Sequence, residues 1–289
     1  MFKKKKDQTY QSYWSISWNI FKKNKVAMVC LFIVILLCLI ALFAPLIAPY
    51  DPNKQVLTDR LMKPCGQHWF GTDDLGRDIF SRIIYGCRAS LSVGIISQII
   101  ATVIGYTMGV CAGYFGGKVD SVISFLIQVF SSFPFLLFAM AIMFVLGPGL
   151  INLYLALGLL GWASTARLIR GDVMRLKKME YIDACKVSGG NSFRIIMKHL
   201  LPNCLSTLIV TVTLGIPNAI MSEASLSFLG LGVKAPMASW GSMISFSQPY
   251  IRSATYYSVI PGLAIIITVL AFNMLGDGLR DALDPKLRS

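Results

Sequence analysis

Catalytic chemistry is thinly supplied in this chain: 289 residues hold two histidines and seven cysteines. His68 and His199 are too few and too far apart in sequence for imidazole acid–base work, and no Cys/His grouping has the spacing of a zinc site. A structural metal is not expected. Gly117-Lys118 is followed by Val119 and has Ala112 where a phosphate-binding loop has its first glycine, so no nucleotide cradle forms there. A His-Glu-x-x-His helix, a nucleophile elbow and paired intramembrane carboxylates are absent as well, which argues against an enzyme. What remains is hydrogen-bonding chemistry. Thr207, Thr211, Asn218, Ser222 and Ser225 recur at helical steps within the least apolar of the long hydrophobic runs. In a bilayer such a face must turn to protein or to water. It is therefore either the wall of a translocation path or a set of hydroxyls bonded to neighbouring helices. Glu223 lies off this stripe, near one end of its run, where a gate or a structural hydrogen-bonding role suits it better than substrate contact.

The elements that position these residues are hydrophobic runs. The chain is 55% hydrophobic and 14% charged, and runs near the ~20 residues needed to cross a hydrocarbon core fall at 26–47, 91–114, 119–146, 151–168, 204–226 and 259–275. The expectation is an all-α membrane protein with six transmembrane helices. The run 26–47 is longer than the apolar part of a signal peptide and no small-residue cleavage site follows it, so it is read as a retained anchor. The net charge of +13 reports topology rather than nucleic acid, because the basic residues sit at the ends of apolar runs without interleaved aromatics. Lys3, Lys4, Lys5, Lys6, Lys22, Lys23 and Lys25 precede the first run, with Tyr10, Tyr13, Trp14 and Trp18 suited to the headgroup layer. Arg280, Lys286 and Arg288 follow the last. Both termini and the basic segment near 169–203 are thereby assigned to the cytoplasm. The chain divides into a basic tail at 1–25, the first span at 26–47, an extracytoplasmic linker at 48–90, a five-helix core at 91–275 and a tail at 276–289.

Within the linker, Leu75, Ile79, Ile83 and Ile84 share a helical stripe. Asp73 with Arg77, and Asp78 with Arg82, stand four apart as acid-to-base pairs, so an amphipathic helix is expected. Its clustered acids lack the alternating ligands of a calcium loop. A disulfide between Cys65 and Cys87 is possible, with two free thiols the simpler reading. Ser97, Ala101, Gly105, Gly109 and Gly113 form a small-residue seam for close helix packing. A kink is expected at Ser132-Phe133-Pro134, and Pro217 should bend the fifth span.

The segment Glu180 to Asn203 is a polar, basic island between apolar runs. Asn191 or Ser192 can cap a short helix after Gly189-Gly190, with Phe193, Ile196, Met197 and Leu200 on one face. Arg194 and Lys198 point away from it, and Pro202 falls in the first turn of the next run. Asp183-Ala184-Cys185, Gly189 and His199-Leu200-Leu201-Pro202 match the spacing of the cytoplasmic loop motif of ATP-binding-cassette importer permeases, which this chain resembles. The motif is Glu-Ala-Ala, three residues, Gly, nine residues, Ile-x-Leu-Pro. Asp183 and Cys185 keep charge and size; His199 in place of Ile changes character. Gly71-Thr72-Asp73 with Gly76-Arg77-Asp78, the stretch Glu223 to Gly241, and Gly276-Asp277-Gly278-Leu279-Arg280-Asp281 with Asp284-Pro285 resemble the dipeptide, oligopeptide and nickel branch.

That resemblance implies a permease subunit of a binding-protein-dependent importer in a bacterial plasma membrane, with the loop 169–203 between spans four and five carrying the coupling helix. Asp183, Ala184, Cys185, Gly189, His199 and Pro202 would then engage a separate ATPase. The implied partners are a second, homologous permease, two ATPase subunits that use ATP and magnesium, and an extracytoplasmic binding protein; no cofactor is implied on this chain. Di- or oligopeptides are the first expected cargo, nickel or metal chelates the second. A stand-alone secondary transporter would place ionisable residues in mid-membrane or repeat interrupted helices, and the sequence shows neither.

Overall fold

The long apolar runs fold as helices, and the computed structural model describes residues 13–283. In chain order the helices are α1 (Tyr13–Lys23), α2 (Lys25–Leu42), α3 (Ala44–Ile47), α4 (Ile79–Phe115), α5 (Gly117–Ser132), α6 (Phe135–Leu146), α7 (Leu150–Leu176), α8 (Glu180–Val187), α9 (Ser192–Ile195), α10 (Leu201–Phe228), α11 (Trp240–Ser247) and α12 (Thr255–Leu283). No strand forms among the described residues; one isolated bridge pairs Thr72 with Asp78. Lys3 to Lys6, Tyr10, Asp284-Pro285, Lys286 and Arg288, to which sequence reading gave topological or family roles, lie outside the described residues.

Among the described residues, four helices are long and apolar enough to cross a bilayer: α2, α4, the unbroken helix Ser192–Phe228 that includes α10, and α12. The α5–α6 pair makes a fifth if its 89° bend is taken within one span. That bend is the expected kink. Phe133 is extended (φ −89°, ψ 139°), as the residue before a proline prefers, and α6 starts directly after Pro134. The expected fourth span is α7, whose apolar run is interrupted by Asn152, Ser164, Thr165 and Arg167. It lies along most of α4, and a helix with one face covered by protein needs less uniform apolarity.

The α4–α7 contact is the small-residue seam. A Cβ at Gly105 would stand 2.6 Å from Thr165 Cβ and 2.7 Å from the Trp162 carbonyl oxygen; at Gly109 it would stand 2.7 Å from the Ala166 carbonyl. Ala101 faces Gly161 of α7 in the same way. Gly105→Leu is therefore expected to force the helices apart and to cost about 1–3 kcal/mol or more. Thermal unfolding of the detergent-solubilised chain should show the loss, while Gly171→Ala, with nothing within 4 Å of the added carbon, should leave the midpoint unchanged.

The linker differs from its expected helix. Residues 48–78 form an irregular cap with one 3₁₀ turn at Leu57–Asp59, and the helix begins only at Ile79, running without a break through the second apolar run. Asp78 is its N-cap, accepting from Ser81 N at 2.7 Å, and its other oxygen lies 2.9 Å from His68 Nδ1. The Asp78–Arg82 pair does not form. Arg82 turns back to Asp73 (3.3 Å) and to the Pro52 carbonyl (2.9 Å), while Asp73 accepts from Arg77 Nε at 2.6 Å. Spacing of four suited a helix, but a carboxylate that also receives Leu75 N and Arg77 N, each at 2.9 Å, fixes a turn instead. Leu61 and Phe70 of the cap pack with Tyr256 of α12 against buried Ile79, Ala238, Met243 and Tyr257. Cys65 is exposed and Cys87 buried beside α2, its Sγ 3.5 Å from the Leu37 carbonyl; both thiols are free.

At the other end, residues 13–23 of the expected tail form α1, and 276–283 are the last turns of α12 rather than the start of a tail. Gly278 lets α12 approach Ala27 of α2. α10 continues through a buried Pro217.

Candidate functional site

All five residues of the polar stripe line one cavity of about 1410 Å³, bounded by α1, α4, the start of α6, α7, α10 and the end of α12. The stripe faces the cavity, and four of its five donors are spent within α10 rather than on neighbouring helices. Thr211, Ser222 and Ser225 hydroxyls donate to the carbonyl four residues earlier at 2.7–2.9 Å, and Asn218 Nδ2 donates to the Leu214 carbonyl at 3.1 Å. Donors spent on the helix still leave oxygen lone pairs towards the cavity. Thr207 differs: its hydroxyl donates at 2.6 Å to Asp172 of α7, which also faces Arg175 at 3.4 Å. Arg175, Arg280 and Pro202 are among the lining residues at that end.

Sequence reading missed the opposite wall. Ser97 and Gln98 of α4 with Ser164 and Thr165 of α7 also line the cavity. Ser97 had been absorbed into the packing seam. Gln98 offered a signal, as a carboxamide in an otherwise apolar run.

Glu223 is fully buried at the far end of α10, outside the cavity lining. Its carboxylate accepts from Ser227 (2.6 Å), Ser239 (2.7 Å) and Ser90 (3.3 Å), and Ser90 Oγ also receives the Trp240 amide. One side chain thus ties α4, α10 and the start of α11. Glu223→Ala leaves these hydroxyls without their acceptor, which costs about 1–3 kcal/mol; a matching drop in unfolding midpoint is expected, with Glu223→Gln retaining most of the stability.

The island is a helix, a glycine turn and a second helix. Asn191 caps α9, accepting from Arg194 N at 2.8 Å. A π turn, Ile196–Leu200, follows, closed by Leu201 N donating to the Ile196 carbonyl. Pro202 has no amide hydrogen to give Lys198, and the wider turn absorbs that gap without ending the helix. Ile195 and Leu200 are buried with Ile182 and Cys204 against Val110, Ile169 and Val173, whereas Phe193 and Met197, expected on one face with Ile196 and Leu200, are exposed. Val187, 90% exposed, and Phe193, 72% exposed, give the island an uncovered apolar surface.

The motif residues occupy this element in different ways. Asp183 is exposed and pairs with Lys186 Nζ at 2.7 Å, and the Ala184 carbonyl accepts from Ser188 Oγ at 2.8 Å. Cys185 is half-buried against Gly190, where an added Cβ would meet its Sγ at 2.6 Å. Gly189 makes the turn at φ +79°, with open space around it. His199 is half-buried, its ring 6.1 Å from that of Tyr181.

Residues 101–289 match the family model described as binding-protein-dependent transport system inner membrane component. The chain belongs to this family. Residues 12–64 match a second model, the N-terminal TM domain of oligopeptide transport permease C. The chain is 46% identical over 278 residues to the dipeptide transport system permease protein DppC of Bacillus subtilis, covering 96% of this chain and 87% of that one. It is 42% identical to the oligopeptide transport system permease protein OppC of the same organism, covering 96% and 91%. The glutathione transport system permease protein GsiD of Pectobacterium atrosepticum is 41% identical, covering 98% and 95%. An inward-facing structure of the MetNI methionine ABC transporter superposes with TM-score 0.58 at 19% identity, covering 71% of this chain and 98% of that one; this likeness is one of fold. The permease is thus a helical inner membrane component of a bacterial transport system.

Proposed function

We propose that this permease forms half of the translocation path of an ATP-driven importer of di- and oligopeptides. Six spans leave both termini and the island in the cytoplasm, with the 48–78 cap outside, where a binding protein delivers substrate. A second, homologous permease closes the cavity, and two separate ATPase subunits hydrolyse ATP with magnesium. The single observation that carries this reading is the unbroken helix Ser192–Phe228, which joins the exposed island directly to the polar stripe. Movement of a docked island is passed along it to Thr207, Thr211, Asn218, Ser222 and Ser225. Glu223 anchors the outer end as a structural tie at the gate. Peptides are favoured over nickel or metal chelates by the names of the 41–46% identical relatives.

Proteoliposomes holding the permease, its partner permease and both ATPases test the reading when supplied with binding protein and labelled dipeptide. ATP-dependent accumulation that vanishes without the ATPases is expected. Equal uptake by the permease alone would end it.

A further inference from the structure

The wall opposite the stripe holds polar groups that the helix packing does not use. Three buried side-chain atoms lack a hydrogen-bond partner among the described residues: Arg82 Nε, Tyr106 Oη and Ser97 Oγ. Arg82 is ion-paired in the cap. Of the three, Ser97 lines the cavity, and its residue is 2% exposed. Gln98 beside it is 9% exposed, and its carboxamide makes one hydrogen bond among the described residues, Nε2 to Thr102 Oγ1 at a long 3.3 Å. The carboxamide lies flat on Gly215 of α10, where an added Cβ would stand 2.6 Å from Nε2 and nearer still to Oε1. Ser97 and Gln98 sit near the midpoint of the 37-residue α4.

An unsatisfied buried hydroxyl next to an under-used carboxamide is costly unless something else completes the bonds. The geometry points to a subsite, built by the Gln98 carboxamide against Gly215 and Asn218 with Ser97 packed behind it, that hydrogen-bonds the main-chain amides of a peptide in passage. This inference rests on the proposed peptide cargo. A carboxamide offers a donor and an acceptor, so it matches an amide N–H and C=O without reading side chains. It is uncharged, which keeps the hold weak enough for release during transport.

The fully assembled transporter with its binding protein provides the test, using alanyl-lysine and alanyl-glutamate as cationic and anionic probes and dialanine as the neutral one. Gln98→Glu is expected to raise the cationic-to-anionic uptake ratio at least tenfold over wild type. Gln98→Met, similar in size without the amide, is expected to cut dialanine uptake about tenfold while the complex stays assembled and its ATP hydrolysis still responds to loaded binding protein. Should Gln98→Glu fail to assemble, Gln98→Met decides. Dialanine uptake by Gln98→Met within twofold of wild type, or an unchanged charge ratio in assembled Gln98→Glu, overturns the subsite while the peptide reading stands. A wild-type complex that imports none of the three dipeptides defeats that reading and the subsite with it.

Discussion

Asp73→Ala is expected to be among the most destabilising single changes in the permease. Asp73 is fully buried, receives two backbone amides and Arg77 Nε, and is ion-paired with Arg82 at 3.3 Å. Arg77 and Arg82 are themselves 4% and 1% exposed. Truncating the acid leaves two buried cations to share Asp74, which is 3.9 Å from Arg77, and the Pro52 carbonyl. Removal of one partner from a buried ion pair costs about 3–5 kcal/mol. The cap should loosen over Ile79 and Tyr257, seen as low yield and an early unfolding transition in detergent. Asp73→Asn retains the bonds from the backbone amides and should lose less.

Gly189→Val is expected to uncouple transport while the permease still inserts and folds. The position has φ +79° and no neighbour within 4 Å of an added Cβ, so the penalty is backbone strain alone. That strain is about 1–2 kcal/mol for a left-handed residue with a side chain, which lowers the population of the docked turn by about tenfold. Uptake in proteoliposomes should fall by a similar factor at unchanged expression, with at most a small drop in unfolding midpoint because nothing packs against the added carbon. Gly189→Asn tolerates the left-handed region and should retain most of the activity. Normal uptake by Gly189→Val would count heavily against a role for the turn.

Local backbone chemistry was the most legible part of the sequence. The break before Pro134, the Asn191 cap and the Gly189 turn each follow from one residue's φ/ψ or hydrogen-bonding preference. The glycine seam was also readable, because small residues every fourth position leave room for another helix. The linker was not. Asp73 and Arg77 have the spacing of a helical pair, yet the same atoms close a turn when the acid binds backbone amides, and spacing alone does not separate the two. The apolar face of the island was misplaced at its start, where Ile195 rather than Phe193 is buried, and the π turn ahead of Pro202 then shifts only the residues that follow it. The stripe on α10 could be found by periodicity, whereas Ser97 and Gln98 face it from a helix remote in sequence.

The central claim is that the island is the surface through which a separate ATPase drives this permease. A photocrosslinking residue at Val187, 90% exposed on that surface, tests it most directly in membranes of a cell making the whole system. The account predicts a covalent adduct between the permease and an ATP-hydrolysing subunit, with a yield that changes when ATP is supplied. Adducts to lipid alone, with the ATPase subunits present and active, would contradict it.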